Sequence, residues 1–283
     1  MPDISGMSVR PRRRNILINR GLANDRDSDW LWIAKSMRRI PDLLLFFLLI
    51  IWGGIAHAQE PIRVGSLYSL TGTMAISESG LKDALLMQVD LQNQRGGLLG
   101  RPLQVVSQDP ASNWSMYGEK ARQLIERENV AAIFGCWTSA SRKEVKSVVE
   151  ELGALLFYPV QYEGREQSPN IIYLGAAPSQ QAAWNYFMSI DSPGNRQFIS
   201  GLRSVIGDSC AVVNDPIEAQ AIVFRLWVKA VQWAGTTDPE VVRKTVIGME
   251  VTNLSGGSAT LLPNHHLSKP VYIGEIRPDG QYN

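Results

Sequence analysis

Two consecutive stretches constrain this chain more than anything else in it: FGCWTSASRKEV (134–145) and LLFYPVQYEG (155–164), joined by an apolar, helix-like run. Each couples a buried-strand pattern to a polar, aromatic-rich loop. In an open parallel sheet, strands that empty such loops at one edge build a ligand site outside their carboxyl ends.

The rest of the chain repeats the same alternation. Ile62 to Leu67 reads as a short buried strand, followed by the turn-rich SLTGT (69–73). A helix is expected from about Gly80 to Asn93, with Ser77 and Ser79 as candidate caps and Gly96-Gly97 as its stop. Leu103–Val106, Val130–Phe134, Ala154–Tyr158 and Asn170–Leu174 read as further strands. Tyr117–Glu128 and Ser139–Leu152 read as the helices between them. Strands alternating with helices at this spacing predict βαβ units, a parallel sheet and an α/β fold. Further on, Asp215-Pro216-Ile217-Glu218 places a cap, a proline at the first helical position and a glutamate at the third, and Gly235 ends that helix. Asp238-Pro239-Glu240 repeats the signal. From Leu254 the pattern turns to short strands, with turns at Gly256-Gly257, Pro263-Asn264 and Asp279-Gly280.

Residues 1–58 stand apart from the fold. Leu43 to Trp52 is an apolar run behind Arg38-Arg39 that leads to Ala56-His57-Ala58. This is the layout of a signal peptide, with cleavage after Ala58 and a periplasmic destination. Translation from Met37 would make it compact. A twin-arginine signal at Arg12-Arg13-Arg14 and an uncleaved anchor are the alternatives, although the run is short for a membrane span. Nine of the 28 basic and five of the 27 acidic residues fall in 1–58, leaving 19 against 22, a net charge of about −3. No basic field for nucleic acid remains. Cys136 and Cys210 are the two cysteines. Export permits a disulfide between them, and two separate buried thiols are the other reading.

The order of motifs resembles the urea- and short-chain-amide-binding branch of the type I periplasmic binding proteins, the solute-capturing components of bacterial ABC transporters. IRVGSLYSLTGTMAISE (62–78), GGLLGRPLQVVSQDPASNW (96–114), the two central stretches and SPNIIYLGAAPSQQ (168–181) resemble its first lobe. AAWNYFMS (182–189), NDPIEAQ (214–220) and LPNHHLSKPVYIGEIRPDGQY (262–282) resemble its C-terminal portion. Between Gln181 and Ala182 the resemblance leaves a gap, on the order of a hundred residues and a domain's worth, where the family builds most of its second lobe. The resemblance implies an N-terminal extension and signal peptide over 1–58, lobe one over 59–181 and 190–250, and lobe-two remnants over 182–189 and 251–283. About thirty residues of strand and turn cannot bury a core of their own.

The resemblance also implies roles. Trp137 would stack on a planar amide, and Ser139 would supply a hydroxyl and a backbone N–H. Tyr158 would wall the pocket, with Val160 and Gln161 offering backbone or amide contacts. Ser77 and Glu78 are weaker candidates. Five of these have a structural alternative: a core-edge aromatic for Trp137, a helix N-cap for Ser139, strand packing for Tyr158, surface loop for Gln161, and helix-terminus electrostatics for Glu78. The implied partners are a small neutral ligand and a membrane permease, with no cofactor. A binding-deficient truncated remnant and an amide-sensing regulator are the other readings. Catalysis finds little support: Cys136 lies near Ser139, but beyond residue 58 the histidines are the adjacent His265 and His266. Neighbours on a strand point to opposite faces and make neither a metal pair nor a base for a nucleophile.

Overall fold

The computed structural model describes residues 59–163, 166–175, 188–207, 213–270 and 272. The signal peptide expected over 1–58, the Gln181–Ala182 junction, Cys210 and the Asp279-Gly280 turn lie outside these residues. Among the described residues no helix is long and apolar enough to cross a membrane.

Five strands form one parallel sheet in the order β2-β1-β3-β4-β5. They are β1 (Ile62–Leu67), β2 (Leu103–Gln108), β3 (Ile133–Gly135), β4 (Leu156–Tyr158) and β5 (Ile171–Tyr173). Three helices connect them: α1 (Ala75–Gln94), α2 (Met116–Glu126) and α3 (Ser139–Leu152). Side chains alternate across a strand, and here the alternation sorts them into two cores. Ile133, Leu156 and Ile171 face a cluster that holds Tyr117, Leu124, Val145 and Val149 of α2 and α3. Their neighbours Phe134, Phe157 and Ile172 face a second cluster filled by α5 (Asp215–Ala234) and α6 (Pro239–Val246). Phe134 stacks on Phe157 with centroids 5.1 Å apart, and Trp227 of α5 meets Phe134 edge-on at 5.9 Å. Burial on both faces is why these strands read as unbroken apolar runs.

The expected α/β class and strand positions match what is observed, and the differences lie at helix starts. α1 begins at Ala75, not near Gly80, and has no side-chain cap, so Ser77 and Ser79 do not cap it. α3 starts at Ser139 as expected, but its cap is Thr138, whose side chain accepts from the Ser141 N–H at 3.1 Å. α5 is capped by Asn214, one residue ahead of Asp215, through the Ile217 N–H at 3.1 Å. Glu218 does not close a capping box. It is buried and accepts from the Leu254 N–H at 3.1 Å and from Lys269 at 3.0 Å. Asp238 caps α6 as expected, accepting from the N–H groups of Glu240 and Val241. One helix escaped the sequence reading: α4 (Pro193–Ile206), whose Ser192-Pro193 start carries the same cap-then-proline signal.

Beyond α6, β6 (Glu250–Thr252), β7 (Ser258–Leu261) and β8 (Leu267–Ser268) pair antiparallel. Ala259 and Leu261 of β7 enter the α5-side core, and Leu254 enters the other. Lys269 returns to the start of α5, bonding Asp215 and Glu218 in a buried ion cluster. These strands therefore bury their apolar residues against the main sheet and its helices.

Trp227 is fully buried, yet its indole N–H finds no acceptor among the described residues. Trp227→Ala should cost about 3–5 kcal/mol by emptying the α5-side core. Trp227→Phe removes the orphaned donor as well as some volume, and should stay within about 1 kcal/mol of the parent. Guanidinium denaturation of the two variants checks this, and a Phe variant as damaged as the Ala variant would contradict it.

Candidate functional site

The carboxyl ends of β1, β3 and β4 meet at one edge, and close backbone approach sets the geometry there. A Cβ on Gly135 would lie 2.6 Å from the Leu67 carbonyl oxygen, so only glycine fits at the end of β3. The next residue, Cys136, donates its N–H to Leu67 O at 2.9 Å and adopts φ 68°. A non-glycine residue in that region is strained, and strain of this kind collects at functional loops. The turn delivers Trp137, half-buried against the core, and then the Thr138 cap of α3.

Tyr158 straps the two loops together. Its ring is fully buried at the end of β4, and its hydroxyl lies 2.9 Å from Trp137 O and 3.0 Å from Gln161 O. One phenolic hydrogen shared between two carbonyls fixes both loops at once. Val160 is buried, and a Cβ on Gly175 would lie 2.0 Å from the Val160 carbonyl, so the chain leaving β5 presses on the loop after β4. Trp137 and Gln161 thus stay partly exposed at the edge, while Tyr158 and Val160 lie buried beneath them and hold their loops in place.

Ser139 joins that edge through a residue the sequence reading missed. Arg142, on the inner side of α3, is fully buried. Its Nη1 lies 3.2 Å from Ser139 Oγ, its Nε and Nη2 fork onto Glu166 at 3.0 Å each, and Nη2 also reaches Glu163 at 3.0 Å. The guanidinium sits 4.8 Å above the Tyr158 ring and 5.4 Å from that of Tyr162. A buried cation needs such partners, which is why two glutamates and two tyrosines gather around it. The Ser139 hydroxyl, together with Arg142, holds the Glu163 carboxyl down to about 2. Beside this cluster Tyr173 bonds Glu166 at 2.9 Å and stacks on His266, 5.0 Å between centroids, while Tyr162 bonds His266. The signal for Arg142 was a basic residue at helical spacing from Ser139, with Glu163 and Glu166 in the loop after β4.

Ser77 and Glu78 occupy the first turn of α1, on the neighbouring strand's side of the edge. Glu78 points inward and is fully buried. Its Oε2 accepts from the Ser69 N–H at 2.7 Å and from the Tyr117 hydroxyl at 2.9 Å, and Tyr117 also bonds Ser69 Oγ at 2.8 Å. The protein's own donors therefore occupy this carboxylate, and Ser77 beside it is half-buried. Asp109, at the end of β2, holds the loop after β1 by accepting from the N–H groups of Leu70 and Ala111 and the Thr71 hydroxyl. The Cys136 thiol is buried, and desolvation, reinforced by the Glu78 charge, pushes its ionisation well up, which suits packing and not nucleophilic attack.

Parallel strands that gather their loops at one edge define an α/β protein with its connecting loops collected on one side. The chain belongs to the periplasmic binding protein domain family, whose model matches residues 62–183 and 181–283. It is 34% identical over 116 residues to the "Leu/Ile/Val-binding protein homolog 7" of Brucella melitensis, a match covering 41% of this chain and 29% of that protein. The chain thus spans less than a third of the length of that relative. In structure it is similar to an ABC transporter substrate-binding protein from Sphaerobacter thermophilus (TM-score 0.64, 14% identity, 79% of this chain and 96% of the other). It is also similar to the branched-chain amino acid transporter substrate-binding protein LivJ from Streptococcus pneumoniae, solved with isoleucine (TM-score 0.63, 12% identity, 79% and 98%). The type I periplasmic-binding-protein fold expected from the motifs is the fold observed.

Burial pushes the Glu78 carboxyl up to about 7, against the opposing hydrogen bonds from Ser69 and Tyr117. A raised folded-state value means the native state holds this proton more tightly than the unfolded chain does. Glu78 therefore removes stability as pH rises from about 4.5 to 7, on the order of 3 kcal/mol in all. Glu78→Gln keeps an acceptor for Ser69 and Tyr117 and should flatten this part of the profile. Thermal melts of parent and variant from pH 4.5 to 8 test it, and two parallel profiles would contradict it.

Proposed function

We propose that this chain descends from, and retains half of, a periplasmic solute-binding protein that captures urea or a short-chain amide for an ABC-type permease. The observation that carries this reading is the edge around Trp137. It offers an aromatic face, a helix start at Ser139, and backbone held in place by Tyr158. A planar, neutral, densely polar ligand suits such a surface, provided nearly every donor and acceptor is paired, because each unpaired buried polar group costs about 1–3 kcal/mol.

The charges at the edge favour a neutral ligand over a zwitterionic amino acid. Arg142 is already shared between Glu163 and Glu166, and Glu78 is occupied by Ser69 and Tyr117. The buried or largely buried charges of this set, Arg142, Glu166 and Glu78, are all paired within the protein, and the exposed Glu163 is already bonded to Arg142. The amino acid reading keeps support of its own, since relatives carry the name Leu/Ile/Val-binding and one similar structure holds isoleucine. We read the ligand as urea or a short amide, with Trp137, Ser139 and Gln161 as the contact set, Tyr158 and Val160 supporting it from beneath, and Ser77 at its margin.

The reading includes a shortened second lobe. The family model matches in two stretches that meet at 181–183, where the motifs of lobe one pass directly to those of the C-terminal portion. A full clamp closes a second lobe over the ligand, and about three hydrogen bonds lost at 0.5–1.5 kcal/mol each weaken binding roughly ten- to a thousandfold. Titration calorimetry with urea, acetamide and isoleucine should show amide binding weaker than about micromolar, and Trp137→Ala should abolish it. Micromolar or tighter amide binding would overturn the weak-binding reading. Binding of isoleucine alone would transfer the site to the amino acid reading.

A further inference from the structure

Away from the sheet edge, a cleft of about 980 Å³ opens between α1, α4, α5 and the turn from β6 to β7. None of the seven residues expected from the sequence to bind ligand lines it. Met87, Phe198, Phe224 and Val228 give it an apolar wall. Among the described residues, the charged ones lining it are Arg95, Arg225 and Lys229, and none is acidic.

Among the described residues, two donors on this cleft lack acceptors. Arg225 Nε donates to Ala221 O at 3.1 Å, one turn back along α5, but Nη2 is buried with no hydrogen-bond partner. No carboxylate pairs with Arg225 among the described residues, and its burial lowers the guanidinium's affinity for its proton, the Glu218 charge opposing. Asn253 uses its side-chain oxygen on the Gly257 N–H at 2.6 Å, and its Nδ2 is buried without an acceptor. Buried polar groups are nearly always paired, so two orphaned donors on one cleft point to an acceptor that arrives from outside. The positive end of α4 adds to the field, since Ser192 and Gly194 line the same cleft.

We propose that this cleft is a second ligand site for a small organic anion with an apolar body, separate from the amide edge. A carboxylate received by Arg225 and Asn253 satisfies the donors that the protein leaves open, and the hydrocarbon part lies against Met87, Phe198 and Phe224. The volume falls in the range of small-molecule sites, about 300–1,000 Å³. A guanidinium suits a carboxylate because it can meet both oxygens at once.

Titration calorimetry on the full chain with phenylacetate, and with 2-phenylethanol as its uncharged counterpart, tests the site. Phenylacetate should bind, and 2-phenylethanol should bind at least about tenfold more weakly, the loss of one charge-assisted hydrogen bond. Arg225→Met should weaken phenylacetate by a similar factor without lowering the melting temperature, because it removes an unpaired buried charge. Gln197→Glu, at an exposed position of α4 on the cleft, should weaken it several-fold through charge alone and decides the matter if the Met variant folds poorly. Trp137→Ala should leave phenylacetate binding unchanged while abolishing amide binding, so the two sites fail separately. Absence of phenylacetate binding, equal binding of the alcohol, insensitivity to both cleft variants, or loss on Trp137→Ala would each overturn the proposal.

Discussion

Burying the parallel sheet on both faces is the constraint from which the remaining features follow. β3, β4 and β5 have no solvent face, so Ile133, Phe134, Leu156, Phe157, Ile171 and Ile172 are all apolar and buried. Polar side chains cannot sit along these strands and are displaced to the ends. At the carboxyl end they collect as Tyr158, Tyr173, Glu163, Glu166 and Arg142. The alternation that fills two cores also concentrates the chemistry at one edge, and Gly135 allows the strand to reach that edge against Leu67.

The cluster at the edge is held by one buried cation. Removing a partner from such a group is costly because the charge is then left uncompensated. Arg142 avoids this by drawing Glu166 into a fork, bonding Glu163, and lying over two tyrosine rings. The consequence is positional. Ser139 on α3 and the loop after β4 answer to the same guanidinium, while Tyr158 couples that loop to Trp137. The edge formed by these separate loops gains its rigidity from the shared partners, and on the proposed reading that lowers the ordering cost of binding.

Much of this fold was legible because it rests on local patterns. β1 and α3 stand where the apolar runs place them, and Asp238-Pro239 and Gly235 mark helix ends by backbone chemistry that needs no tertiary information. The misreadings have a common cause. α1 starts five residues early because Glu78 is anchored across the fold to Ser69 and Tyr117, an arrangement invisible to local capping rules. Asp215 and Glu218 read as a capping box, yet Lys269, more than fifty residues away, claims both carboxylates. Arg142 was missed for the same reason, since its partners come from the loop after β4. α4 is different: Ser192-Pro193 carried its start locally, and the reading passed over it.

On the proposed reading, the edge is one half of a clamp, and the two halves contribute unequally to recognition. The strap from Tyr158 and the fork on Arg142 are made within the edge itself, so its shape does not depend on a closing lobe. Ligand choice by flatness and neutrality can therefore survive in an open half-site. Affinity cannot survive to the same extent. With one ligand face left in water, each hydrogen bond competes with solvent and contributes only its small net value, about 0.5–1.5 kcal/mol. Stacking on Trp137 removes apolar surface from one side only, at about 25 cal/mol per Å². A pre-ordered edge without its cover thus discriminates among ligands better than it retains them.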